Sequence, residues 1–153
     1  MTLRTLLAVT AATLTLAACG GNGSTAAQDK GPISENRTTA FKSMMPEFSA
    51  MGKMVKGEET YNVEKFKAAA AVFAENAQKP FEHFQNDTAG NGDALPAIWD
   101  KPAEFEAERT KFLNAVNELN NAAQTGSLDN IKAAYGEVGA SCKACHDSFR
   151  RPK

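Results

Sequence analysis

The chain has 153 residues, of which 42% are hydrophobic and 23% charged, and its 17 basic and 18 acidic side chains leave a net charge of −1. That balance belongs to an ordinary globular protein of one domain and excludes a disordered, highly charged chain. Nothing in it suggests nucleic-acid binding, which needs a basic patch or stripe, and it offers no strong field to steer a partner protein.

Residues 1–18 have the layout of an export signal. Arg4 supplies the positive start, and Leu6 to Ala17 form an apolar run interrupted by Thr10, Thr13 and Thr15. The run is shorter than the roughly 20 residues a membrane-spanning helix requires. It ends in Leu16-Ala17-Ala18-Cys19, which resembles a bacterial lipobox. That resemblance implies cleavage before Cys19 and a diacylglyceryl group on its thiol. The lipid would hold the protein on the periplasmic side of a membrane without a spanning segment. Ordinary cleavage, with Cys19 free and the protein soluble in the periplasm, is the alternative. Gly20 stands where an inner-membrane retention signal would have Asp, which favours the outer membrane. Residues 19–32 are rich in Gly, Ser, Thr, Ala and Asn, cannot bury enough surface to fold, and read as a flexible tether to a domain spanning 33–153.

Four helical patterns follow. Ser34 is the expected cap of the first, which carries Phe41, Met44, Phe48, Met51 and Val55 at spacings of three and four and stops at Gly57. Asn62 is the expected cap of the second, whose inner side is Val63, Phe66, Ala70, Phe73 and Ala77, with Pro80 ending or disrupting it. A turn-rich loop runs from about Gln85 to Lys101. Pro102 suits a first helical position, and the third helix turns Phe105, Phe112, Val116, Leu119 and Ala123 inward before Gly126. Ser127 is the expected cap of the fourth, whose inward row runs Leu128, Ile131, Tyr135, Val138, Cys142, Cys145 and Phe149. Period-two runs of β-branched residues are absent. The expected fold is therefore all-α, an antiparallel four-helix bundle.

The chemistry concentrates in Cys142-Lys143-Ala144-Cys145-His146, the C-x-x-C-H signature of c-type haem attachment. On a helix, positions i and i+3 share a face, so both thiols can reach the two vinyl groups of one porphyrin while His146 ligates the iron. A redox disulfide would call for a βαβ setting that is missing, and structural zinc would call for four ligands where His83 is the one obvious addition. Buried structural cysteines are the remaining alternative. With Cys19 lipidated and the other two on haem, the odd count of three cysteines is accounted for.

From about Ser34 to Lys153 the chain resembles the cytochrome c-prime family. The resemblance rests on Cys-Lys-Ala-Cys-His-Asp-Ser-Phe-Arg (142–150), with Phe149 where Tyr is commoner, and on Arg37-Thr38-Thr39-Ala40-Phe41. It extends to Val55-Lys56-Gly57, to Gly92-Asp93-Ala94-Leu95-Pro96-Ala97-Ile98-Trp99 and to Gly136-Glu137-Val138-Gly139-Ala140-Ser141. It implies one covalently bound haem c, with Cys142 and Cys145 as thioether anchors and His146 as the axial metal ligand. By the same resemblance Arg37 lies near a haem propionate, Arg150 beside the proximal His, and Phe41, Phe81 and Phe84 form the distal wall. Solvated helix-end charges are the alternative for both arginines, and ordinary core for the phenylalanines.

Low-spin relatives tend to carry a ligating methionine four residues after the first-helix Arg, where this chain has Phe41, which has no donor atom. The resemblance therefore implies a five-coordinate, high-spin iron that binds NO and CO, transfers electrons to a redox partner protein, or does both. A six-coordinate low-spin electron carrier is the alternative, with Met44, Met45, Met51 or Met54 as axial ligand and His83 as a second rival. No polar residue is placed to act as acid or base, so no enzyme is expected. Family members often pair through the first two helices, and Met45, Met54 and Val63 would supply apolar surface for a homodimer.

Overall fold

The computed structural model describes residues 29–152. The expected export signal, Cys19 and the expected tether up to residue 28 lie outside these residues. Six helical segments follow in order: α1 (Pro32–Lys56), α2 (Val63–Asn76), a 3-10 turn (Lys79–His83), α3 (Ala97–Asp100), α4 (Pro102–Thr125) and α5 (Leu128–Phe149). No strand occurs among the described residues; two isolated backbone bridges join Lys30 to Asn91 and Ala94 to Arg150. The four long helices form the bundle, and α3 with the 3-10 turn sits within the long connection between α2 and α4. No described helix is long and apolar enough to cross a membrane.

Local chemistry explains most boundaries. Asn62 Oδ1 accepts from the Lys65 backbone N–H at 2.9 Å, capping α2. Gly57 and Gly126 close α1 and α4 at φ values of 76° and 68°, conformations that an L side chain resists. Pro102 opens α4, where its missing N–H costs nothing. Ser127 holds the N-cap position of α5, but its side chain makes no capping bond.

Three expectations need correction. Ser34 is not the cap of α1: the helix starts at Pro32 with Gly31 as N-cap, and Ser34 is buried inside the first turn. Residues 29–32 are not free tether, because Gly31 N–H donates to Gly90 O at 2.8 Å and Gly92 N–H to Asp29 O at 3.2 Å. Met54 is core, only 4% exposed, rather than outer apolar surface. Pro46 sits inside α1 without ending it, and both Pro46 and Lys42, whose carbonyl loses its bond, lie on the exposed side.

The seams read from the sequence meet in one core of Met44, Met51, Phe66, Phe73, Leu119 and Ile131 with their neighbours. Fully burying each such side chain contributes about 1.5–3 kcal/mol. A second, smaller cluster of Ala94, Ile98 and Phe149, flanked by Phe84, Trp99 and Phe105, closes the end where the long loop meets the last turn of α5. There Leu95 N–H donates to Phe149 O at 3.0 Å, Arg151 N–H to Asp93 O at 2.8 Å, and Trp99 Nε1 to Phe84 O at 2.8 Å. Packing of α5 is mainly on α4, with only light contact to α1.

Candidate functional site

Helical spacing brings Cys142 and Cys145 to one side of α5, both free and both half-buried. They stand at the junction of the two clusters. Cys142 packs against the main core, and Cys145 against the cluster of Ala94, Ile98 and Phe149. Burial pushes the Cys142 thiol above its ordinary range. Burial, then the charges of Glu108 and Cys142, pushes Cys145 up to about 11. Both are therefore neutral thiols at pH 7. His146 follows in the last turn of α5, half-buried, and its carbonyl accepts from Arg150 N–H at 3.1 Å.

The phenylalanines singled out from the sequence come together. Phe41 meets Phe81 and Phe84 edge-on at centroid distances of 6.1 and 6.2 Å, and Phe81 and Phe84 stack at 5.8 Å. The T-shaped and offset contacts are the arrangements aromatic quadrupoles prefer. Phe105 extends the group, 4.8 Å from Phe84 and 5.4 Å from Phe149. Phe105 was expected as core only: a helical apolar stripe does not distinguish core from site lining.

Arg37 is 6% exposed and is fastened to the long loop. Its Nη1 donates to His83 O at 2.9 Å, its Nη2 to Asn91 O at 2.8 Å, and its guanidinium carbon lies 4.9 Å from the Phe84 ring centre. Desolvation lowers its pKa, and the charge of Asp87 opposes that shift. Arg37 is thus not a solvated helix-end charge. Arg150 is half-buried at the C-cap of α5, paired through its backbone with Ala94. His83 closes the 3-10 turn, half-buried rather than exposed. Of the methionines, Met44, Met51 and Met54 are core, whereas Met45 is 49% exposed. No group of three metal-binding side chains occurs among the described residues.

The family profile described as Cytochrome C' matches residues 33–150. The chain belongs to the cytochrome c-prime family. Cytochrome c' of Alcaligenes xylosoxydans xylosoxydans is 39% identical over 117 residues, 76% of this chain and 91% of that protein. The structure of a nitric oxide complex of a cytochrome c-prime variant from Alcaligenes xylosoxidans superposes with a TM-score of 0.75 at 38% identity, covering 79% of this chain and 94% of that one. A carbon-monoxide-bound variant from the same organism gives a TM-score of 0.74 at 38% identity, covering 78% and 94%.

Proteins of the cytochrome c-prime family carry covalently attached haem c, and the residues present fit that group. Two unoxidised thiols sit one helical turn apart, an imidazole follows directly, and a wall of aromatic rings lies across the end of the bundle. Glu108 Oε2 and Arg151 Nε are buried with no hydrogen-bond partner among the described residues. Sequence reasoning missed Glu108, because a charged residue on a helix ordinarily reads as solvated surface.

Proposed function

We propose that this cytochrome c-prime holds one haem c through thioethers to Cys142 and Cys145, with His146 as the proximal ligand of a five-coordinate, high-spin iron. When bound, the haem supplies an iron centre that can change valence or take up a diatomic ligand. The chain's own residues determine what reaches that centre. The observation that carries this reading is the triangle of Phe41, Phe81 and Phe84. Such a wall offers neither a donor atom to the iron nor a hydrogen-bond donor to a bound ligand. O₂, which carries partial negative charge when bound, gains nothing there, whereas NO and CO need little polar help. Burial of Met44, Met51 and Met54 in the main core supports five rather than six ligands. Arg37, already bonded to the loop, and Arg150 at the end of α5 are the cations for the propionate edge and the proximal side.

The protein binds NO, and CO in solution, and exchanges electrons with a redox partner. It carries out no catalysis of its own, since the distal rings include no acid or base. The lipid on Cys19 keeps it on the periplasmic face of a membrane, the outer one being favoured by Gly20. Two copies pair through the outer faces of α1 and α2, where Met45 and Val72 are exposed. The relatives whose structures hold NO and CO support the gas-binding part. The test is the visible spectrum of the mature protein, ferric and ferrous, with and without NO. A high-spin spectrum that changes on adding NO is expected. A six-coordinate low-spin spectrum unmoved by NO overturns the proposal.

A further inference from the structure

The first turn of a helix leaves backbone N–H groups without partners, and a side chain just before the helix usually supplies one. Helix α1 lacks that local supply. Its N-cap is Gly31, and the Ser34 hydroxyl turns back to Gly31 O at 2.9 Å. The acceptor comes instead from the long loop, where Asp87, 5% exposed, takes the Ser34 N–H on Oδ2 at 3.0 Å and the Ala89 N–H on Oδ1 at 3.1 Å. Its carboxylate also faces the positive end of the helix dipole. The approach needs Gly31, since a Cβ there would lie 2.2 Å from Asp87 Oδ1.

The same loop grips the next turn. Asp87 N–H donates to Asn91 Oδ1 at 2.8 Å, and Asn91 O accepts from Arg37 Nη2 at 2.8 Å. Ser34, Arg37 and Phe41 follow one another at helical spacing on one face of α1. Phe41 is seven residues beyond Ser34, about 10 Å along the axis. A rigid helix held at its start by Asp87 therefore has its Phe41 ring held against Phe81 and Phe84.

We propose that Asp87 is a positioning residue of the distal wall: by capping α1 from the long loop, it sets where Arg37 and Phe41 stand relative to Phe84. The proposal rests on the distal-wall reading of Phe41. An ordinary cap would affect stability alone, and Asn62 at the start of α2 provides that comparison through its equivalent bond to Lys65 N–H.

The experiment compares haem-loaded wild type, D87A, D87N and N62A by urea denaturation and by CO rebinding to the ferrous protein after flash photolysis. Hydrogen exchange of the first turn of α1 is measured in parallel. Both alanine variants lower the urea midpoint. Only D87A opens the first turn of α1 to exchange and changes the CO association rate, by about threefold, equivalent to about 0.65 kcal/mol on the barrier. D87N keeps an acceptor for Ser34 N–H but sets its amide NH2 against the Ala89 N–H, and falls between wild type and D87A. Should D87A not fold, D87E, which retains the charge but misplaces the carboxylate, carries the same expectation. A CO rate in the folded D87 variant that matches N62A and wild type overturns the proposal while leaving the distal-wall reading intact. Wild-type protein that takes up no CO overturns both.

Discussion

Tyr135 of α5 lies flat on Phe48 of α1, with ring centroids 4.4 Å apart and planes 11° from parallel, and its hydroxyl donates to the Phe48 carbonyl oxygen at 3.1 Å. Phe48 in turn stacks on Phe73 of α2 at 5.4 Å, so one aromatic file ties α5 to the first two helices across the lightly packed α1–α5 seam. The approach depends on Gly52, where a Cβ would lie 2.4 Å from Tyr135 Oη. Gly52→Ala should therefore destabilise the protein by about 1–3 kcal/mol through overpacking. Adding Tyr135→Phe removes the opposing atom and should recover much of that loss. The coupling is read from a double-mutant cycle by urea denaturation.

Serine at Cys142 or Cys145 should leave haem attached through the remaining thioether, and serine at both should leave it removable by acid acetone. Mass spectrometry of the denatured chain distinguishes the three cases. Covalent haem in the double variant would contradict the assignment of the anchors.

The haem-free chain should lose stability as the solution becomes alkaline. Cys145 is held protonated in the fold, up to about 11 against an ordinary 9.0, first by burial and then by Glu108 and Cys142. The folded state thus binds more protons than the unfolded one between those values. Its contribution is complete below about pH 9 and is lost as pH rises through about 11. Cys142 and Tyr135 are raised as well and act in the same direction. The urea midpoint should fall over that window, and less steeply in Cys145→Ser.

Replacing Phe41 by Ala should raise the CO association rate of the ferrous protein by about tenfold, equivalent to 1.4 kcal/mol of steric barrier. Flash photolysis measures it. An unchanged rate would mean that the ring does not stand over the ligand site.

Glu108 pairs one carboxylate oxygen with Lys111 Nζ, keeps the other buried and unpartnered among the described residues, and exerts its charge on Cys145. Such a charge would favour the more positive, ferric state of an iron whose haem is held by Cys145. Glu108→Gln should therefore raise the reduction potential by tens of millivolts, about 59 mV corresponding to a tenfold change in the one-electron equilibrium. A potentiometric titration followed in the visible spectrum checks the direction.

The helices were legible because their signals are local. Phe66, Ala70, Phe73 and Ala77 repeat at the helical period and are buried together; Asn62, Pro102, Gly57 and Gly126 mark ends by backbone chemistry that needs no distant partner. The C-x-x-C-H run was legible for the same reason, since its chemistry lies within five consecutive residues. Ser34 was misjudged because the acceptor that caps α1 is Asp87, 53 positions away, and nothing in the local pattern announces it. Arg37 was ambiguous and Glu108 passed unnoticed, because a charged residue on a helix is solvated or buried according to what packs over it.

By itself, then, the sequence determined the four long amphipathic helices, their stops and the pair of thiols beside an imidazole, all consequences of interactions within a few turns of chain. Only the tertiary structure decided which phenylalanines meet, which charges are buried, and that the long loop grips the start of α1. Those outcomes depend on closing contacts between segments some 50 residues apart, such as Arg37 with Asn91, and periodicity carries no information about which of several similar faces will find each other.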